Sequence, residues 1–207
     1  MADDSGQGMP VVPATEREGW VRTEASTETV FRLPAAEVVG HTLVYEDEDL
    51  RASVRAATDG SLDRMWRFFF ATRMSFSPPL PPAVGPMAVF STVRSKAESE
   101  FATILRERGF RDVESGTRQR VRVNTGDRAR LRAFSATLDT PLPDGTTGEL
   151  PIDGWLALWT TDGEFRLAGG AYPARPLEEF LDIDLPDVAT TPSEFRADLL
   201  SLVRSVE

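Results

Sequence analysis

The chain has 207 residues, and 41% of them are hydrophobic, which is enough for one domain with a sizeable core. No apolar run is long enough to span a membrane. It contains no cysteine and a single histidine, His41, which excludes disulfides, thiolate chemistry and any site that needs two imidazoles. The net charge of −10 comes from 33 acidic residues against 22 arginines and one lysine. This balance favours a protein of a salt-adapted cytoplasm; the alternative is a GC-rich genome, which replaces lysine by arginine, together with chance acidity.

The first third of the chain predicts strands after an irregular start. Residues 1–15 are polar, rich in glycine and proline, and lack the basic and apolar parts of a signal peptide, so we expect a disordered lead-in to one domain over residues 16–207. Alternating polarity over residues 19–31 predicts one or two short strands. Residues 41–45 and 50–56 suggest a hairpin closed by an acidic turn.

The middle of the chain combines an aromatic strand with a helix. Residues 64–76 are β-rich and predict a central strand, and the prolines that follow end regular structure. Ser95 and Glu98 have the spacing of a capping box, and Gly109 suits the end of a helix, so the first of two main helices is expected over about residues 96–108.

The last third predicts a hairpin and a second helix. Asp162 and Gly163 fit a two-residue turn that places Leu158 opposite Leu167, and both faces of the resulting strands are largely apolar. A second capping box at Thr191 predicts a helix over about residues 192–206. We therefore predict an α+β fold in which helices cover both faces of an antiparallel β-sheet of about 7–8 strands.

Four features of the chain form one pattern: residues 68–90, the first helix, an arginine-rich hairpin at residues 117–133, and residues 167–173. This pattern resembles a haloarchaeal family of unknown function, many of whose members are lipoproteins. The likeness covers about residues 18–173. The order of strands and helices is also similar to PsbP-like α/β/α sandwiches, which implies a binding or assembly module without catalytic residues. The chain lacks the lipobox cysteine of the lipoprotein members.

Charge is unevenly distributed along the chain. Residues 1–60 carry a net −7 and residues 139–207 a net −10, whereas residues 61–138 carry a net +7. Six arginines alternate in residues 117–133, and a three-residue loop at residues 124–126 would place them on one face of a hairpin. These candidate binding residues are Arg118, Arg120, Arg122, Arg128, Arg130 and Arg132.

The arginine face has two interpretations. Acidic side chains from the two ends of the chain could interleave with the guanidiniums, or the face could bind an acidic protein or a small anionic ligand. Nucleic acid is the weakest partner, because the rest of the chain is acidic and phosphate binding falls with salt.

The function we predict is a non-enzymatic interaction or ligand-binding module. The alternative is a hydrolase-like enzyme for a small anionic substrate, with the arginines as a clamp and His41 or an acid as the base. An aromatic set could instead line an apolar pocket: Trp66, Phe68, Phe70, Trp155, Trp159 and Tyr172. No motif assigns a catalytic residue, a metal site or a cofactor, and the oligomeric state is not indicated.

Overall fold

The strands form one antiparallel sheet. The computed structural model describes residues 8–34, 36–81, 84–186, 188 and 190–207. Within these residues the strands run in the order β1-β2-β3-β7-β6-β5-β4, so β1 and β4 are the edges. Their bounds are β1 (Trp20–Leu33), β2 (Ala36–Asp47), β3 (Phe68–Ser77), β4 (Arg111–Arg122), β5 (Arg128–Pro141), β6 (Thr147–Thr161) and β7 (Glu164–Pro173). The predicted α+β class is confirmed, and the strand predicted over residues 64–76 lies inside the sheet as β3.

Four α-helices accompany the sheet in the described residues, at α1 (Glu48–Ala57), α2 (Pro86–Glu107), α3 (Leu177–Leu181) and α4 (Pro192–Ser205). The helices α2 and α4 are the two that the sequence predicts. Helix α4 begins with the expected capping box at Thr191. Helix α2 ends at the expected glycine, since Gly109 has a φ of +88° and the next amide, Phe110 N, donates to Leu105 O at 3.1 Å.

The prediction that the first main helix starts near residue 96 is wrong. Helix α2 begins ten residues earlier, where Pro86 occupies its first turn and Gly85 precedes it. Ser95 is exposed inside the helix and does not cap it. The buried stripe extends from Val93 through Ala97 to Phe101 and Leu105, because residues four apart share one helix face.

The strand predicted over residues 50–56 is also wrong, because this segment is α1. The side chain of Asp47 accepts a hydrogen bond from Leu50 N at 3.0 Å, so the acidic run caps a helix and does not close a hairpin. Glu48 and Asp49 fill the first turn, where the helix dipole favours negative charge. Leu50 and Val54 then bury one face of the helix.

Helices α2 and α4 cover opposite faces of the sheet, which we name the α2 face and the α4 face. On the α2 face, the ring centre of Phe101 lies 5.0 Å from that of Phe134 in β5 and 5.7 Å from that of Phe70 in β3. On the α4 face, the ring of Phe195 lies 6.3 Å from that of Tyr172 in β7. Since successive strand residues point to opposite sides, the register assigns each strand residue to one face. The expected cover on both faces is confirmed.

The β6–β7 hairpin has the predicted register, with Leu158 opposite Leu167. Asp162 and Gly163 have φ values of +49° and +79°, as the two-residue turn requires. Gly170 permits a close approach in the middle of the sheet, because a Cβ atom there would lie 2.1 Å from Phe68 O.

The described part of the segment predicted to be disordered is instead packed against the end of the chain; residues 1–7 lie outside the described residues. Val11 N donates to Glu207 O at 3.1 Å, and Glu207 N donates to Val11 O at 3.0 Å. Val12 is buried. These contacts offset the entropy lost on ordering residues 8–15.

Candidate functional site

The arginine-rich hairpin forms as its turn predicts. Strands β4 and β5 are joined by a short loop in which Val123 N donates to Asp127 O at 3.0 Å and Gly126 N donates to Val123 O at 2.9 Å. Gly126 has a φ of +96°, the left-handed conformation that the loop requires. The loop therefore fixes the register of the strands on either side of it.

The six predicted arginines lie opposite one another in three cross-strand pairs, and we call them the arginine surface. The pairs are Arg118 with Arg132, Arg120 with Arg130, and Arg122 with Arg128. By alternation, these side chains share the α2 face with Phe134 of β5. The alternating residues Val123, Ala129 and Leu131 are buried on the α4 face.

One carboxylate from helix α2 reaches this surface. Glu98 Oε2 lies 3.4 Å from Arg118 Nη2 and 3.8 Å from Arg132 Nε, and Glu98 Oε1 lies 3.6 Å from Arg94 Nε. Arg132 also donates to Ser115 Oγ at 2.6 Å. A single negative charge is thus shared by three guanidiniums.

The other arginines of the surface lack such a partner in the described part of the chain. Within 4.0 Å no described carboxylate pairs with Arg120, Arg128 or Arg130. Arg122 donates to the backbone oxygen of Gly126 at 2.8 Å. Among the described residues, the acidic ends of the chain therefore do not cover the arginines.

A shallow pocket opens between α2 and the hairpin. Its volume is about 330 Å³, and it is lined by Arg94, Glu98, Arg118, Gln119, Arg120, Arg130 and Leu131. A carboxylate entering this pocket would meet guanidiniums from both strands and from the helix. The arrangement can bind an anion, and Glu98, the carboxylate in its lining, is paired with arginines.

Protection of a sheet edge does not explain the whole arginine surface. Charged side chains on an edge strand discourage pairing with other chains, and β4 is such an edge. Arg128, Arg130 and Arg132 belong to β5, however, which has β4 on one side and β6 on the other. Half of the guanidiniums therefore lie where no edge needs protection.

His41 lies apart from the arginine surface. It is in β2 opposite Arg73, on the α4 face, whereas the arginines lie on the α2 face at the other edge of the sheet. Its Nδ1 is 3.1 Å from Thr27 Oγ1 and its Nε2 is 3.3 Å from Ser75 Oγ. The sheet separates this histidine from any anion held by the arginines, so His41 does not lie where a general base for that anion would be needed.

The aromatic set does not form one pocket. Trp155 and Trp159 are buried on the α4 face, where Trp155 Nε1 donates to the hydroxyl of Tyr172 at 3.1 Å. Phe70 packs under α2. Trp66 and Phe68, together with Tyr172, line a separate cavity.

Arg94 and Glu98 belong to the site but are not among the residues that the sequence predicts for it. Their i, i+4 spacing is visible in the sequence, but the sequence pattern places Glu98 in a capping box. Only the earlier start of α2 makes both residues one helical pair that faces the hairpin.

Two further properties of the described residues bear on the class of protein. They contain no group of three or more potential ligand side chains that could hold a metal ion. None of their helices has the length and apolar character of a membrane span.

The fold and site together define an α+β protein with a helix on each face of one antiparallel sheet and an exposed arginine surface at one edge. The chain belongs to the family described as Domain of unknown function (DUF6517), which residues 9–207 match. No curated protein and no solved structure matches it.

Proposed function

We propose that this protein is a non-enzymatic interaction module whose arginine surface binds a carboxylate-rich surface of a partner protein. The observation that carries the proposal is the excess of positive over negative charge on the arginine surface around Glu98. In the described residues, this carboxylate alone pairs with the arginine surface, leaving Arg120, Arg128 and Arg130 without a carboxylate partner.

Energetics support a partner outside the hairpin. Like charges directly opposite in a sheet cost about 0.2–1 kcal/mol per pair, and this hairpin contains three such pairs. A bound carboxylate would offset that repulsion. Guanidiniums bind carboxylates through two parallel hydrogen bonds, which retain geometric specificity where salt screens simple charge attraction.

A protein partner fits the shape of the site better than a small anion does. The arginine surface extends along two strands, and most of its side chains are exposed. A small anion could occupy the pocket beside Glu98 but would leave Arg122 and Arg128 near the turn uncovered. Nucleic acid remains the least favoured partner, because the whole chain carries a net charge of −10.

The test uses a fluorescein-labelled octaglutamate peptide and its anisotropy on titration with the protein. We expect the Arg120→Gln/Arg130→Gln variant to bind the peptide at least about tenfold more weakly, because it loses charge-assisted hydrogen bonds. The matched control, Arg22→Gln/Arg55→Gln, changes the net charge equally at exposed positions outside the surface and should bind like the wild type.

Equal weakening in both variants would show that net charge alone drives binding and would overturn the proposal. Competition by succinate at concentrations comparable with the peptide would favour the small-anion interpretation. Affinity capture from host lysate at near-native salt, with the same two variants, would then identify the natural partner by mass spectrometry.

We also propose that the protein is of a haloarchaeal, salt-adapted type, works in the cytoplasm and forms one domain over residues 16–207, against which residues 8–15 pack. The excess of acidic residues and the 22 arginines against one lysine support this habitat, although a GC-rich genome also replaces lysine by arginine. A distant relationship to PsbP-like sandwiches is supported by the order of strands and helices along the chain.

A further inference from the structure

A second site lies at the end of the sheet where α2 terminates. It is a cavity of about 270 Å³. Its apolar lining on the α2 face comes from Phe68, Leu138, Ile152 and Ala171. Its other walls are the loop before β3, at residues 64–66, Tyr172 of β7, and Arg108 and Phe110, which follow α2. The six residues of the arginine surface do not line it.

Two arginines flank this apolar lining. Arg64 lies over the ring of Trp66, with its guanidinium carbon 5.5 Å from the ring centre, and Arg108 lies over Phe68 at 5.1 Å. Within the described residues, neither arginine has a carboxylate within 4.0 Å. Asp63, beside Arg64 in sequence, pairs instead with Arg51 at 2.5 Å.

Arg64 is half-buried and Arg108 is exposed, and neither guanidinium has an ion-pair partner among the described residues. Burial lowers the pKa of the Arg64 guanidinium, but arginine remains charged at every physiological pH. Trp66 Nε1 is buried and has no hydrogen-bond acceptor among the described residues. A buried donor without an acceptor carries a desolvation penalty that a bound acceptor would remove.

We infer that this cavity binds a small organic anion, a monocarboxylate with an apolar or aromatic body. The apolar lining would take the body, and the guanidiniums of Arg64 and Arg108 would take the carboxylate. The volume is slightly below the ~300–1,000 Å³ of typical ligand pockets, so the ligand must be small. Cation–π stacking on Trp66 and Phe68 keeps both guanidiniums at the cavity wall without neutralising their charge.

The test measures binding of phenylacetate and 3-methylbutanoate by calorimetry, with phenylacetamide as the neutral analogue of the first. We expect the wild type to bind at least one of these carboxylates. Arg64→Gln should weaken this binding at least about tenfold, because it removes a charge-assisted contact. Arg175→Gln is the matched control, since Arg175 stacks on Phe180 outside the cavity, with its guanidinium carbon 5.3 Å from the ring centre.

A second readout locates the ligand. In ¹H–¹⁵N spectra the indole N–H of Trp66, assigned through Trp66→Phe, should shift on addition of the carboxylate that binds, while that of Trp159 stays in place. The Arg120→Gln/Arg130→Gln variant should bind this carboxylate like the wild type, so failure of the proposed function would leave this inference intact.

Three results would overturn the inference. One is the absence of binding by the wild type to both carboxylates at millimolar concentration. Another is equal affinity for phenylacetamide and phenylacetate. The third is unchanged affinity in Arg64→Gln, provided that its thermal unfolding shows a folded protein.

Discussion

Arg67 is a buried cation that ties three parts of the molecule together. It is 7% exposed and forms ion pairs with Asp47, which caps α1, and with Asp198 of α4. Its guanidinium carbon lies 4.9 Å from the ring centre of Trp20 and 4.7 Å from that of Phe195. The carboxylates balance its charge while the rings replace part of its hydration.

Removing this cation should destabilise the fold strongly. Arg67→Gln leaves the buried carboxylate of Asp47 without its ion-pair partner, and we expect a loss of about 3–5 kcal/mol in the free energy of unfolding. Asp198→Asn removes a partner that is 46% exposed and should cost less than about 1 kcal/mol. Urea unfolding of the two variants checks both values, and similar losses would show that burial does not decide the strength of this network.

At the scale of elements, the same local sequence pattern has two different outcomes. Thr191 and Glu194 form a complete capping box, in which Thr191 Oγ1 accepts from Glu194 N at 3.4 Å and Thr191 N donates to Glu194 Oε2 at 3.1 Å. Ser95 and Glu98 have the same spacing but lie inside α2. Within α2, Glu98 forms ion pairs with arginines and does not accept a hydrogen bond from an N-cap residue.

Alanine substitutions should separate these two motifs. Thr191→Ala removes a working cap, so we expect a loss of about 1 kcal/mol in the free energy of unfolding. Ser95→Ala replaces an exposed residue in a helix interior and should be neutral or stabilising by up to about 0.5 kcal/mol. Thermal unfolding compares the two variants, and a loss in Ser95→Ala equal to that in Thr191→Ala would contradict the helix start at Pro86.

At the scale of the whole molecule, charge is segregated on the sheet. The arginine surface lies at one edge of the α2 face, whereas Glu24 and Glu28 of β1 lie on the same face at the opposite edge, beside Glu100 of α2. Helix α2 and the centre of the sheet separate the two sets, so described residues of opposite charge do not neutralise each other across the molecule. Segregation of this kind suits directed binding better than it suits stability.

Stability should therefore improve when one arginine is removed. Arg120→Gln relieves the like-charge pair with Arg130, so we expect an increase of up to about 1 kcal/mol in the free energy of unfolding at low salt. The gain should shrink at about 2 M KCl, where the screening length is only a few ångströms. Urea unfolding at the two salt concentrations measures it, and a loss of stability at low salt would mean that Arg120 contributes to the fold itself.

The sequence alone determined the features that depend on near neighbours. The turns at Gly126 and at Asp162 with Gly163 set the register of two hairpins, because a short loop allows few alignments of its strands. The positions of the six arginines follow from one of these turns. The helix end at Gly109 and the cap at Thr191 are local in the same sense.

Features that depend on distant contacts become visible only in the folded chain. Residues 50–56 are helical because Leu50 and Val54 are buried in the core; their cap at Asp47 is local, but burial depends on the rest of the fold. The placement of α2 against the hairpin brings Glu98 to the arginine surface and keeps His41 on the other side of the sheet. Such outcomes require burial and charge to be satisfied across the whole sheet, and no short window of sequence contains that information.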